Sequence, residues 1–222
     1  FNRASEATVL DGFTIKDGKG YYAGGIYNKD GSPQISNCTI VNNSSNGRNS
    51  GGIYNLANNS TASPTFTNCT IINNQGHGIM NQSWTDGDFE ASPKFINCTI
   101  SDNTGAGISN VASGNYSLSK PMFTNCLITG NVQRGLHNNS AKLSSEAAPL
   151  FINCTISSNK GAIGSAFYNE GAGQGWPTFT NCILWATNLQ TTITTANFRV
   201  LVRSFTTQIL RRVEVVGLKT GH

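Results

Sequence analysis

Apolar residues return along this chain at fixed intervals and alternate with small polar ones. From Pro64 to Asn74 the sequence reads P-T-F-T-N-C-T-I-I-N-N, with Phe66, Cys69 and Ile71 at the apolar places. The period-2 alternation on either side of Asn-Cys predicts two short strands, each with one buried face. Copies start at Pro33, Pro93, Pro121 and Pro149, and a partial one at Pro177. A second string, G-G-I-Y-N at Gly24–Asn28, recurs at Gly51–Asn55 and, altered, at His77–Asn81, Ala106–Asn110, Arg134–Asn138 and Ser165–Asn169. These pieces are too short, and too rich in Gly and β-branched residues, to be helices. Proline opens each P-x-F strand, where no ladder donor is needed.

Every cysteine and every proline belongs to this repeat. Cys38, Cys69, Cys98, Cys126, Cys154 and Cys182 are 31, 29, 28, 28 and 28 residues apart. A period of that length is the mark of a solenoid. Three short strands per 28-residue coil predict an all-β chain, a right-handed parallel β-helix of about six to seven coils over residues 1–186. Residues 1–18 hold a degenerate first coil, V-L-D-G-F-T-I-K-D-G, with Phe13 where later coils have Cys. An antiparallel sandwich is the rival, but it predicts no identical Asn, Cys and Ile in every period.

Equivalent positions in such a stack lie over one another, about 4.8 Å apart. Phe66, Phe95, Phe123, Phe151 and Phe179 should form one apolar ladder, and Ile71, Ile100, Ile128 and Ile156 another. Asn tolerates left-handed backbone at corners, and stacked amides bond along the column. Asn68, Asn97, Asn125 and Asn153 should therefore make a corner ladder, with Asn43, Asn74, Asn103, Asn131 and Asn159 at a second corner. That role outweighs the glycosylation reading of N-C-T. Cys69, Cys98, Cys126 and Cys154 should be reduced, buried thiols. In-register neighbours hold their Cβ atoms further apart than the ~3.8 Å of a disulfide, and no Cys-x-x-Cys metal pair exists.

Charge and length change the picture little. The net charge of +4 comes entirely from residues 187–222, because residues 1–186 carry ten Lys/Arg and ten Asp/Glu. The repeats thus show no nucleic-acid footprint, and no apolar run is long enough for a membrane span. The chain opens on Phe1 rather than Met, so we expect a mature chain or a piece of a longer one.

The repeat stops after Trp185. Register calls for Asn at 187, but the chain has Thr187. Two readings stand for residues 187–222. One is an out-of-frame tail, since restoring a single G after the Trp185 codon yields Trp-Gly-Asn. The other is a C-terminal cap built on Val200, Val202, Phe205, Ile209, Val213 and Val216.

Chemistry is sparse. The one concentration of acids is W-T-D-G-D-F-E, in the longest linker: Trp84, Asp86, Asp88, Phe89 and Glu90. Trp84 and Phe89 suit stacking on a sugar, and Asp86 and Asp88 suit calcium. An exposed acidic loop without a ligand is the plainer reading. No catalytic residues and no required cofactor emerge. Asp102 reads as an outward polar residue, and His77 and His137 as unrelated. Tyr27, Tyr54 and Tyr168 should face outward as a broken aromatic strip.

The strings G-G-I-Y-N and F-T-N-C-T-I-x-x-N resemble the repeats of chlamydial polymorphic outer-membrane proteins. They are also similar to the Asn-rich β-helix repeats of secreted or surface proteins of Bacteroidetes, in the pectin-lyase-like superfamily. The resemblance spans about residues 9–185 and implies an extracellular or bacterial outer-surface location, with adhesion or contact to a polysaccharide or host glycan. It carries no catalytic residue over. The functional expectation is a non-catalytic, adhesin-like β-helix segment. The alternative is a polysaccharide lyase or glycoside hydrolase.

Overall fold

The computed structural model describes residues 1–47, 50–162 and 165–186, together with the backbone of Leu201–Ser204 and Arg211–Glu214. It is a parallel β-helix with three main sheets. The first runs through Ile26–Lys29, Ser50–Ala57, His77–Ser83, Ile108–Ala112, Leu136–Ser140 and Phe167–Gly171. The second holds the P-x-F strands, seven from Val9–Asp11 to Thr178–Thr180. The third holds the C-T-I strands from Thr14–Lys16 to Ile183–Ala186.

Pairing is parallel and in register, so each predicted ladder exists. Ile26, Ile53, Ile79, Ile108, Leu136 and Phe167 align in the first sheet. The phenylalanine rings of the second stack nearly flat, 4.7 Å apart for Phe66–Phe95 and 4.9 Å for Phe95–Phe123. With the isoleucines of the third sheet and the cysteines they form one continuous core.

The corners follow the predicted chemistry with one displacement. Asn37, Asn68, Asn97, Asn125, Asn153 and Asn181 have φ between 51 and 55°, the left-handed region that Asn adopts readily. The second corner lies one residue earlier than expected, at Asp17, Asn42, Asn73, Asp102 and Ser158, all left-handed, and Gly130. Asp102 is thus a corner residue and not merely an outward one. Asn43, Asn74, Asn103, Asn131 and Asn159 turn inward and are buried. Their amides form an internal ladder: Asn74 Nδ2 donates to Asn103 Oδ1 at 3.0 Å, and Asn103 Nδ2 to Asn131 Oδ1 at 2.9 Å.

That ladder explains the glycine of G-I-x-N. A Cβ on Gly78 would meet Asn103 Nδ2 at 2.6 Å, and one on Gly107 would meet Asn131 Nδ2 at 2.7 Å.

The fourth to sixth coils add a short fourth strand: Glu90–Ala91, Leu118–Ser119 and Glu146–Ala147. At the far end, Leu201–Ser204 pairs parallel to Ile183–Ala186, and Arg211–Glu214 antiparallel to Leu201–Ser204. The choice between an out-of-frame tail and a cap falls mostly outside the described residues.

Candidate ligand-binding edge

Each coil leaves the first sheet through a linker before its P-x-F strand. These linkers begin in register: Trp84 N donates to Ala57 O at 3.1 Å, Ser113 N to Ser83 O at 2.9 Å, and Ala141 N to Ala112 O at 2.8 Å. Side chains then tie one linker to the next. Asn115 donates through its backbone N to Asp86 Oδ1 at 2.6 Å and through Nδ2 to Asp86 Oδ2 at 3.1 Å. Tyr116 N donates to Ser144 Oγ at 3.3 Å. Lys120 Nζ lies 2.7 Å from Glu146 Oε2. The linkers therefore form a built edge.

Four consecutive coils each expose one large apolar side chain on this edge. Trp84 is 50% exposed, Tyr116 62%, Leu143 79% and Trp176 41%. The residues expected to act together are separated by the same hydrogen bonds. Trp84 reaches the surface. Both Asp86 oxygens are taken by Asn115, which holds its carboxyl below the usual range, with Lys142 adding to the effect. Asp88 is exposed, and Glu90 Oε1 accepts from Ser92 Oγ. Phe89 packs inward on Ala57, Ala62 and Ala91. Among the described residues, no three His, Cys, Asp or Glu side chains gather to hold a metal ion.

The outer face of the first sheet departs from expectation. Tyr54 points away from the main core yet is 0% exposed, packed with Leu56 and Met80 into a second small core. Its hydroxyl donates to Gln82 Oε1 at 2.6 Å, and Tyr22 stacks on Tyr27 at 5.1 Å. Tyr27 and Tyr54 thus support the fold instead of offering their faces to a sugar.

Further along this face lies a polar cluster that motif reading passed over. His137 Nε2 is 2.8 Å from Glu170 Oε1, and Asn139 Nδ2 donates to the same oxygen at 3.3 Å. The Arg134 guanidinium sits 4.4 Å over the Tyr168 ring. His77, on the strand two coils away, has a different hydrogen-bond partner. Burial first, then His137 and Arg134, lower its pKa to about 4, while its Nδ1 accepts from Ala106 N at 3.0 Å. The sequence signal was the outward position after G-I/L in one coil and the outward position two residues further in the next.

No curated protein and no solved structure matches the chain. A family profile described as "right handed beta helix region" matches residues 3–146. That stretch holds most of the in-register coils and the first part of the phenylalanine stack and amide ladders, and the chain belongs to the right-handed β-helix family.

Proposed function

We propose that this chain is a non-catalytic β-helix segment of an exported or surface-displayed protein that contacts glycans through its linker edge. The supporting observation is the exposure of Trp84, Tyr116 and Trp176 on that edge. Broad aromatic faces bury much area at little entropic cost, and they suit the apolar faces of sugar rings. The location rests on the repeat resemblance. The test is a glycan array, followed by calorimetry on the best ligand. Trp84→Ala, Tyr116→Ala and Trp176→Ala should each weaken binding about tenfold or more, as the loss of ~1.4 kcal/mol implies, with unchanged circular dichroism. Unaltered affinity in all three variants would overturn the assignment of the edge.

The enzymatic alternative, a polysaccharide lyase or glycoside hydrolase, has one observation on its side: the His137–Glu170 pair beside Arg134. Turnover of a polyuronide panel, abolished by His137→Ala, would establish it over the first reading.

A further inference from the structure

Cys38, Cys69, Cys98, Cys126, Cys154 and Cys182 are all buried and unoxidised. They form one column, a thiol per coil. Cys98 Sγ donates to Ile96 O at 3.4 Å and Phe66 O at 3.6 Å, and Cys126 Sγ to Thr124 O at 3.3 Å and Phe95 O at 3.5 Å. The amides of Cys126 and Cys154 reach the sulfur of the following coil, each at 3.4 Å. The Cys126 thiol first, and burial, push Cys154 up to about 12. Cys69 differs, its pKa lowered by the Cys98 thiol.

Coil spacing decides what such a column can do. Parallel strands lie about 4.8 Å apart. A disulfide needs its sulfurs about 2.05 Å apart and its Cβ atoms about 3.8 Å apart, which would pinch two coils together. A metal–thiolate bond of about 2.3 Å makes a linear sulfur–metal–sulfur unit about 4.6 Å long, close to one coil step. Soft ions select thiolates, and a dry core excludes uncompensated charge. A divalent ion bound by two thiolates is neutral. In forming it, each thiol's S–H bond breaks and its proton goes to water, the ion sheds two chloride or water ligands to solvent, two metal–sulfur bonds form, and no electrons are transferred.

We propose that the cysteine column is a binding site for soft divalent ions that prefer two-coordinate, linear geometry, each ion bridging the thiols of two neighbouring coils.

The test is anaerobic titration of the reduced chain with mercury(II) chloride, read by native mass spectrometry, ultraviolet thiolate-to-metal absorption and the thermal midpoint. One ion per two thiols is expected, with two sulfur neighbours by X-ray absorption and a raised midpoint. Two triple variants hold the thiol count equal. Cys38→Ala/Cys154→Ala/Cys182→Ala leaves three contiguous thiols and should keep a bridging ion. Cys69→Ala/Cys126→Ala/Cys182→Ala leaves alternate thiols and should lose it. One ion per thiol in the intact chain, or a midpoint that falls on binding, would refute the proposal. Where either variant fails to fold, the sulfur count in the intact chain decides alone.

Discussion

Asn103 and Asn97 look interchangeable in the sequence, but the structure gives them different tasks. Asn103 is buried, accepts from Asn74 N at 2.9 Å and Nδ2 at 3.0 Å, and donates to Asn131 Oδ1 and Ile71 O. Asn103→Ala orphans several buried groups, each costing ~1–3 kcal/mol. Asn97 stands in the exposed column, bonded to Asn68 and Asn125, and Asn97→Ala loses mainly its tolerance of φ 55°, about 1–2 kcal/mol. Chemical denaturation should show Asn103→Ala losing at least roughly twice as much stability as Asn97→Ala. Equal losses would mean that the internal ladder is not the stronger tie. His77 adds a pH dependence. Its folded pKa of about 4 lies below the ordinary 6.5, so the unfolded chain binds the proton first. Stability is full above pH 6.5 and falls as pH drops toward 4, by at most ~3 kcal/mol. His77→Gln should flatten that slope in melts across the window. The residue types of the ladders were legible because stacking demands identity at each coil. The inward turn of Asn103 was not, because two adjacent polar residues fit a corner equally well by pattern.

At the scale of single elements, the first sheet carried the most surprise. Its strand Ser50–Ala57 is eight residues long and buried throughout, where G-G-I-Y-N promised a short strand with one wet face. Alternation identifies a half-buried strand only when the outer residues are polar. Here Tyr54, Leu56 and Met80 build a second core outside the first. Tyr54→Ala should therefore act as a core truncation and cost ~3–5 kcal/mol, as large aromatic-to-alanine changes do. Glycan affinity should be retained below the melting transition, because Tyr54 has no exposed face. A loss of affinity at unchanged midpoint would move the binding surface from the linkers to this sheet. The linkers were legible as the variable edge, and Trp84 as exposed. The binding of Asp86 by Asn115 was hidden, because linkers of different length pair across coils in a register that no repeat pattern encodes.

The whole molecule behaves as a stack in which each coil meets only its neighbours. Stability in such solenoids is close to a sum of coil and interface contributions. The cysteines 28 residues apart, Cys98 and Cys126, permit a test that keeps every corner in phase. Excising residues 98–125 joins Asn97 to Cys126 and returns Phe95 and Ile128 to the same coil. The amide of Asn131 is then presented to Asn74 in place of that of Asn103. The shortened chain should fold, keep its β-sheet circular dichroism, and melt cooperatively at a lower temperature, since one interface and one coil are gone. Excising residues 98–111 instead removes half a period and with it the strand Thr99–Ser101 and nearly all of Ile108–Ala112, so that the P-x-F strand Met122–Thr124 falls where a first-sheet strand belongs. Inward Ile and Asn positions would then face solvent, and soluble folded protein should not be recovered. If both deletions melt alike, the phase of the ladders does not hold the coils together. If only the full-coil deletion folds, the repeat is the unit of stability, and the linkers are free to vary in length and surface chemistry.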